Sequence, residues 1–136
     1  MDGVILTPLK KIHNLKGCVF HAMKKSDVGF DGFGEAYFST VNKNDIKGWK
    51  KHTAMTLNLV VPVGKIEFVV YNEKIKEFFN VTLSQDNYQR LTVSPGLCLA
   101  FRGLDENNTL LNIASIEHDL GEVININIDE IDFERT

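Results

Sequence analysis

The chain has 136 residues and a formal charge of −3, from 15 lysines and arginines against 18 aspartates and glutamates. Hydrophobic residues make up 43% and charged residues 24%, which is typical of a folded protein and argues against disorder or a coiled coil. No apolar run approaches the roughly 20 residues of a membrane-spanning helix, and the mild acidity gives no electrostatic reason to expect nucleic acid.

The cysteines and the N-terminus bear on the cellular compartment. Cys18 and Cys98 are too few for a disulfide framework. The first three residues carry an acid where a signal peptide carries bases. We therefore expect a cytoplasmic protein with neither a membrane nor a nucleic acid as partner, folded as a single domain over residues 1–136.

The predicted elements are short strands, because apolar and polar residues alternate with period two. In chain order they cover residues 4–12, 17–24, 35–41, 47–52, 57–61, 66–71, 77–83, 88–93, 97–101, 109–114 and 124–128. Residues 57–61 and 66–71 are predicted to pair as a hairpin through the turn at Gly64. No window of a dozen residues has a helical apolar period, so the sequence predicts an all-β sandwich or barrel with little helix.

Residues 46–52 form the most unusual stretch, with three lysines, a histidine and the only tryptophan in seven positions. One interpretation is a site for an anionic ligand. Lys47 and Lys50 would hold phosphate or carboxylate, Trp49 would stack on a ring, and His52 would transfer a proton. The alternative is a solvated edge strand, whose lysines prevent pairing between sheets.

Weaker candidates lie elsewhere in the chain. The neighbours His118 and Asp119 could supply an oriented base, but they are equally explained as a loop that leaves the last apolar strand. The other candidates are polar residues on or beside predicted strands: Glu35, Tyr37, Asn58, Arg102 and Asn112. The four histidines lack metal-site spacing, and no P-loop or dinucleotide fingerprint occurs, so we expect neither a metal nor a cofactor.

Several of these segments together resemble the cupin superfamily, and within it the small sugar-nucleotide epimerases and ketoisomerases related to dTDP-4-dehydrorhamnose 3,5-epimerase. The resemblance is carried, in the family's order and spacing, by residues 33–39, 46–49, 55–58, 63–66, 95–96, 101 and 116–119. It implies a jelly-roll barrel of two antiparallel sheets, usually a homodimer. It also implies a nucleotide-linked sugar bound inside one end of the barrel, without a metal.

The resemblance also implies a mechanism of proton transfer beside a keto group. In the family a histidine oriented by an aspartate removes the proton, a lysine stabilises the enolate, and a tyrosine returns a proton. Here Lys50 stands at the position of the family's histidine, His52 follows two residues later, and Asp119 stands at the aspartate. Leu57 and Asn112 fall near the positions of the family's lysine and tyrosine.

These residues lead to two functional hypotheses. The first is an epimerase or ketoisomerase that acts on a nucleotide-linked 4-keto sugar in surface polysaccharide synthesis, with His52, Lys50 and Asp119 as catalytic groups. Its substrate-binding residues would be Lys47, Trp49, Glu35, Tyr37, Asn58, Asn112 and Arg102. The second is a non-catalytic sugar-nucleotide-binding cupin or accessory subunit, since the family's catalytic histidine, lysine and tyrosine positions are replaced.

Overall fold

The computed structural model describes residues 1–133, and these form twelve strands and one short 3₁₀ helix. The strands are β1 (Val4–Pro8), β2 (Lys11–Ile12), β3 (Val19–Phe20), β4 (Glu35–Thr40), β5 (Ile46–His52), β6 (Leu57–Val63), β7 (Lys65–Asn72), β8 (Glu77–Ser84), β9 (Gln89–Val93), β10 (Cys98–Gly103), β11 (Thr109–Ala114) and β12 (Val123–Asn125). The 3₁₀ helix covers Ile128–Glu130. No helix among these residues is long and apolar enough to cross a membrane.

Ten of the strands form two five-stranded antiparallel sheets, which confirms the predicted jelly-roll barrel. Sheet 1 has the order β1-β9-β6-β11-β4, and sheet 2 has the order β12-β5-β10-β7-β8. The remaining strands, β2 and β3, form a two-stranded ribbon. Strands that follow one another along the chain repeatedly lie in different sheets, so the chain crosses the barrel many times.

The hydrophobic core fills the space between the two sheets. Its members are the inward-facing residues of both sheets, including Leu57, Leu59, Val61, Ile66, Phe68, Val70, Leu83, Leu91, Val93, Leu99 and Leu110. Phe68, Ile66, Val70, Leu83 and Leu91 are fully buried. Burying an aliphatic or aromatic side chain of this size contributes about 1.5–3 kcal/mol, so this alternating pattern holds the two sheets together.

The predicted hairpin of residues 57–61 and 66–71 is wrong. β6 pairs with β9 and β11 in sheet 1, whereas β7 pairs with β8 and β10 in sheet 2. Gly64 therefore lies at a corner between sheets. A Cβ atom there would lie 2.1 Å from the carbonyl oxygen of Asn107, and the glycine has a φ of +83°. Two alternating apolar strands joined by a tight turn can form a hairpin within one sheet or a corner between two sheets. The sequence pattern is the same in both cases, so it does not distinguish them.

The segment before β4 covers part of the outer face of sheet 1. The fully buried guanidinium of Arg90 donates hydrogen bonds to the carbonyl oxygens of Ala22 and Val28 and to the carboxylate of Asp27, at 2.8–3.2 Å. The amide of Asn58 donates to the carbonyl of Gly29 at 3.0 Å. This segment accordingly fixes sheet 1 from outside, and leaves the barrel interior open at one end.

Candidate functional site

A cavity of about 170 Å³ lies at one end of the barrel, between the two sheets. Its floor is apolar, and its polar lining comes from both sheets. The lining residues are Tyr37, Ser39, Lys47, Gly48, Lys50, His52, Leu57, Leu59, Leu99, Phe101, Leu110, Asn112, His118 and Val123. An apolar pocket with a few convergent polar groups is the usual form of a small-molecule site.

A register shift in β5 decides which of its side chains reach the cavity. Lys50 pairs with Leu99, but Gly48 pairs with the next residue, Ala100, so β5 holds one extra residue at this point. Such a bulge interrupts the alternation of a strand. Lys47 and Lys50 therefore both line the cavity, although an odd spacing of three would place them on opposite faces of a regular strand.

Trp49 is the extra residue and lies on the outer face of sheet 2. It is 3% exposed and packs against Val69, Cys98 and Ala100 under the C-terminal segment. It lines a second cavity, of about 360 Å³, outside the barrel. The expectation that Trp49 shapes the ligand pocket is thus corrected, because the bulge turns its side chain away.

Arg102 and Asn58 also lie away from the barrel cavity. Arg102 lines the outer cavity beside Trp49, with its guanidinium 3.5 Å from the carboxylate of Glu67. Asn58 alternates with the inward-facing Leu57 and Leu59, so its side chain points out of sheet 1 and accepts a hydrogen bond from Thr92 at 2.6 Å. The expectation that Arg102 and Asn58 contact the ligand is therefore corrected, because the alternation of their strands turns both outward.

His52 is held by a buried carboxylate at the base of the cavity. Its Nδ1 lies 2.7 Å from Oε2 of Glu122, and the two side chains are 11% and 7% exposed. The other carboxylate oxygen accepts hydrogen bonds from the backbone N–H groups of Ala54 and Met55, at 3.1 and 2.9 Å. The carboxylate is thus fixed from both sides.

The electrostatics of this pair fix the tautomer of the imidazole. Burial raises the pKa of Glu122, but the hydrogen bond with His52 and those from Met55 and Ala54 outweigh it, so the pKa lies below its usual value. Glu122 is therefore ionised at neutral pH, and its oxygen favours a proton on Nδ1 of the imidazole. When the imidazole is neutral, Nε2 is then the unprotonated nitrogen, which is the arrangement of a general base.

Asp119 does not orient the base. Its side chain is exposed and accepts a hydrogen bond from the backbone N–H of Gly121 at 2.9 Å, while its carbonyl accepts one from the N–H of Glu122 at 3.1 Å. Asp119 thus shapes the turn that delivers Glu122 to His52. The expected role of Asp119 passes to a residue three positions later, because the chain turns between them.

The two lysines of the cavity differ in their partners. Lys47 donates through Nζ to the carbonyl oxygen of Thr40 at 2.6 Å, and so ties β5 of sheet 2 to the end of β4 in sheet 1. Lys50 is exposed, and its ammonium has no hydrogen-bond or ion-pair partner within residues 1–133. A lysine without a protein partner at the cavity is available to an anionic group of a ligand.

Sheet 1 supplies the opposite wall of the cavity. The Asn112 amide donates to the Tyr37 hydroxyl oxygen at 3.0 Å, and its own oxygen accepts from the backbone N–H of Asn58 at 3.1 Å. The carboxylate of Glu35 accepts a hydrogen bond from the backbone N–H of His118 at 2.7 Å. Tyr37 and Asn112 thus line the cavity as a bonded pair, whereas Glu35 holds the loop beside it.

The same arrangement bears on metal binding. No group of three or more His, Cys, Asp or Glu side chains is placed to hold a metal ion anywhere in residues 1–133. The one histidine at the base of the cavity has its Nδ1 taken by Glu122. The groups at the cavity are instead those of acid–base chemistry: an imidazole with its carboxylate, an ammonium, a phenol and a second imidazole.

Solved structures identify the family. The dTDP sugar isomerase from Desulfovibrio desulfuricans G20 is similar over 98% of this chain and 90% of its own length, with 32% identity and a TM-score of 0.92. The chain belongs to the family of cupin-fold dTDP-sugar isomerases and epimerases. Comparisons with family models and with curated proteins gave no match.

More distant members of the family share the fold. The 3,4-ketoisomerase QdtA from Thermoanaerobacterium thermosaccharolyticum, solved with TDP-4-keto-6-deoxyglucose, is 24% identical over 96% of this chain and 95% of its own, with a TM-score of 0.80. The dTDP-4-dehydrorhamnose 3,5-epimerase from Sulfolobus tokodaii is 19% identical over 98% and 82% of the two chains, with a TM-score of 0.86. A ketoisomerase and an epimerase therefore share the fold of this chain.

Glu122 is the residue of the site that the sequence did not reveal. Glu122 follows a glycine in a polar stretch and has no periodic or motif signal. Its partner His52 lies 70 positions earlier in the chain. The signal that existed was the resemblance at residues 116–119, which points to the correct loop but to the wrong carboxylate.

Proposed function

We propose that the protein is an epimerase or ketoisomerase that acts on a nucleotide-linked 4-keto sugar by proton transfer beside the keto group. The observation that carries this proposal is His52 at the cavity, bonded to the buried Glu122, with the ammonium of Lys50, unpartnered among residues 1–133, on the same strand face. Membership of a family of dTDP-sugar isomerases and epimerases supports the same substrate class.

Each group has a distinct task in the proposed reaction. Nε2 of His52 removes the proton from the carbon next to the ketone, and Glu122 stabilises the imidazolium that forms. The electron pair of the broken C–H bond becomes the double bond of an enolate, whose oxygen carries the negative charge. The ammonium of Lys50, which lines the cavity beside His52, stabilises that charge.

A second exposed lysine at the cavity supports binding of the nucleotide end of the substrate. Lys47 lines the cavity, and a diphosphate carries negative charge that its ammonium would neutralise. Related structures have been solved with dTDP or TDP bound in the monoepimerase ChmJ and the ketoisomerase QdtA. A dTDP-linked sugar is therefore the first substrate to test.

Proton exchange with solvent tests the activity directly. We expect that the wild-type protein, incubated in deuterated buffer with dTDP-4-keto-6-deoxyglucose or its GDP-linked counterpart, replaces a ring proton beside the ketone by deuterium, as followed by NMR. His52→Ala should reduce the exchange rate by at least about 100-fold, because it removes the base. Wild-type protein that binds these nucleotides without exchanging any proton would instead support the non-catalytic, sugar-nucleotide-binding alternative.

Binding of dTDP alone tests which face of β5 holds the ligand. Lys47→Ala should weaken the affinity by roughly tenfold in isothermal titration calorimetry, since it removes a charge-assisted contact. Trp49→Phe should leave the affinity within about twofold while lowering the melting temperature, because it repacks a core on the other face of the sheet. A loss of affinity confined to Trp49→Phe would contradict the proposed face.

Four finer points also stand as proposals. They are independence from metal ions, a homodimeric assembly, a cytoplasmic location and a place in surface polysaccharide synthesis. The homodimer receives support from apolar side chains on and beside β4 at the edge of sheet 1, where Phe38 is 69% exposed and Phe33 is 63% exposed. Sedimentation equilibrium measures the mass that decides it.

A further inference from the structure

A second imidazole, that of His118, lines the same cavity as His52. His118 lies in the segment between β11 of sheet 1 and β12 of sheet 2, which crosses from one sheet to the other at the end of the barrel. The segment begins beside β4 and ends at Glu122, next to His52. His52 therefore reaches the cavity from β5 of sheet 2, and His118 reaches it from a segment bonded to β4 of sheet 1.

The backbone of His118 is fixed in place. Its N–H donates to the carboxylate of Glu35, the first residue of β4, at 2.7 Å. The residue before Glu35, Gly34, donates its N–H to the carbonyl oxygen of Ala114 at 2.8 Å. These two bonds hold the start of the crossing segment against the edge of sheet 1, so His118 has a defined position although its side chain is exposed.

The proposed chemistry needs a group that returns a proton to the enolate. Two cavity groups on or bonded to sheet 1 have protein partners: the Tyr37 oxygen accepts from Asn112, which leaves its O–H free to donate, and Lys47 donates to Thr40. The ring of His118 has no hydrogen-bond partner among residues 1–133. An imidazole both donates and accepts protons near neutral pH, and a solvent-exposed ring regains its proton from water after each turnover.

We infer that His118 is the second acid–base group of the site, which makes the reaction an epimerisation by two histidines that line one cavity from different elements. This inference rests on the proposed function. His52 takes the proton from one face of the carbon next to the ketone, and the C–H electron pair enters the enolate. That pair then forms a new C–H bond with a proton from the imidazolium of His118 on the other face.

The two histidines return to their starting protonation states by exchanging protons with solvent. After one turnover His52 carries an extra proton and His118 has lost one. His52 releases its proton to water, and His118 takes one from water. No electrons leave the substrate, and the product differs from the substrate only in the configuration of one carbon. The reverse reaction uses the same two groups with their roles exchanged.

The test separates proton removal from proton return. His118→Gln and His52→Gln are compared in deuterated buffer with dTDP-4-keto-6-deoxyglucose, and NMR measures both deuterium in recovered substrate and epimer formed. We expect His118→Gln to retain exchange into the substrate within about fivefold but to lose at least about 100-fold in epimer formation. His52→Gln loses both. His13→Gln, an exposed histidine outside the cavity, is the matched control and keeps both.

Each other outcome overturns the inference in a recognisable way. Normal epimer formation by His118→Gln removes His118 from the reaction and leaves the proposed function standing. Loss of both readouts in His118→Gln, with dTDP affinity and melting temperature unchanged, assigns it to proton removal instead. If Tyr37→Phe alone shows exchange without epimer, the phenol is the second group. Absence of any exchange by the wild-type protein contradicts the proposed function itself.

Discussion

Replacing Glu122 with glutamine is expected to lower kcat by at least about 100-fold and to change KM little. The amide oxygen still accepts the N–H groups of Ala54 and Met55, which the carboxylate now binds at 3.1 and 2.9 Å. The amide NH₂ must then face Nδ1 of His52. A donor at that position turns Nδ1 into an acceptor and places the imidazole proton on Nε2, so the base is lost without a change in shape.

Asp119→Asn is the matched control for this prediction, because Asp119 stands at the family's aspartate position but only shapes a turn. Its amide oxygen can still accept the N–H of Gly121, so we expect kcat within about threefold of the wild-type value. Steady-state kinetics on both variants check the assignment. A large loss in Asp119→Asn together with a normal Glu122→Gln would restore Asp119 as the orienting group.

The lowered pKa of Glu122 also predicts how stability depends on pH. A carboxyl whose pKa is lower in the folded than in the unfolded state contributes stability above the unfolded value, and this contribution is lost as the pH falls through the folded value. Burial opposes the lowering, and the bonds with His52, Met55 and Ala54 cause it. Urea unfolding between pH 7 and pH 3 should therefore show a smaller loss of stability in Glu122→Gln than in the wild-type protein.

Much of the fold could be predicted from the sequence, because period-two alternation marks strands directly. Residues 109–114 were predicted as a strand with the bounds of β11, and most other strands differ by one or two residues. The placement of β6 and β7 in different sheets could not be predicted, since a tight glycine turn serves equally for a hairpin and for a corner between sheets. The sheet assignment depends on contacts between strands distant in the chain.

In the site, too, features that depend on neighbouring residues could be predicted, whereas contacts between residues distant in the chain could not. His52 and Lys50 lie two residues apart on a strand, so their shared face follows from local geometry. Trp49 was misplaced because a bulge is a register shift against β10, which leaves no mark on the sequence of β5. Glu122 was missed because its partner lies 70 positions away. The resemblance to the family indicated the correct loop. Only the three-dimensional structure shows that Glu122 is the carboxylate in this loop that contacts His52.

The loop that carries His118 and Glu122 depends on a glycine at its anchor. A Cβ atom on Gly34 would lie 2.0 Å from the carbonyl carbon of Ile116 and 2.3 Å from the nitrogen of Glu117. Both contacts are with backbone atoms, which cannot rotate aside as a side chain does. Any side chain at residue 34 must therefore push the loop away from the edge of sheet 1.

Gly34→Ala is accordingly expected to lower the free energy of unfolding by about 1–3 kcal/mol or more, and kcat by more than about tenfold. Gly121→Ala is the control within the same loop, because its Cβ would meet only the Asp119 side chain, at 3.4 Å. It should stay within about 0.5 kcal/mol of the wild-type protein. Urea unfolding and proton exchange measure both effects. A stable, active Gly34→Ala would mean that the loop tolerates displacement, and that the positions of Glu122 and His118 do not depend on this anchor.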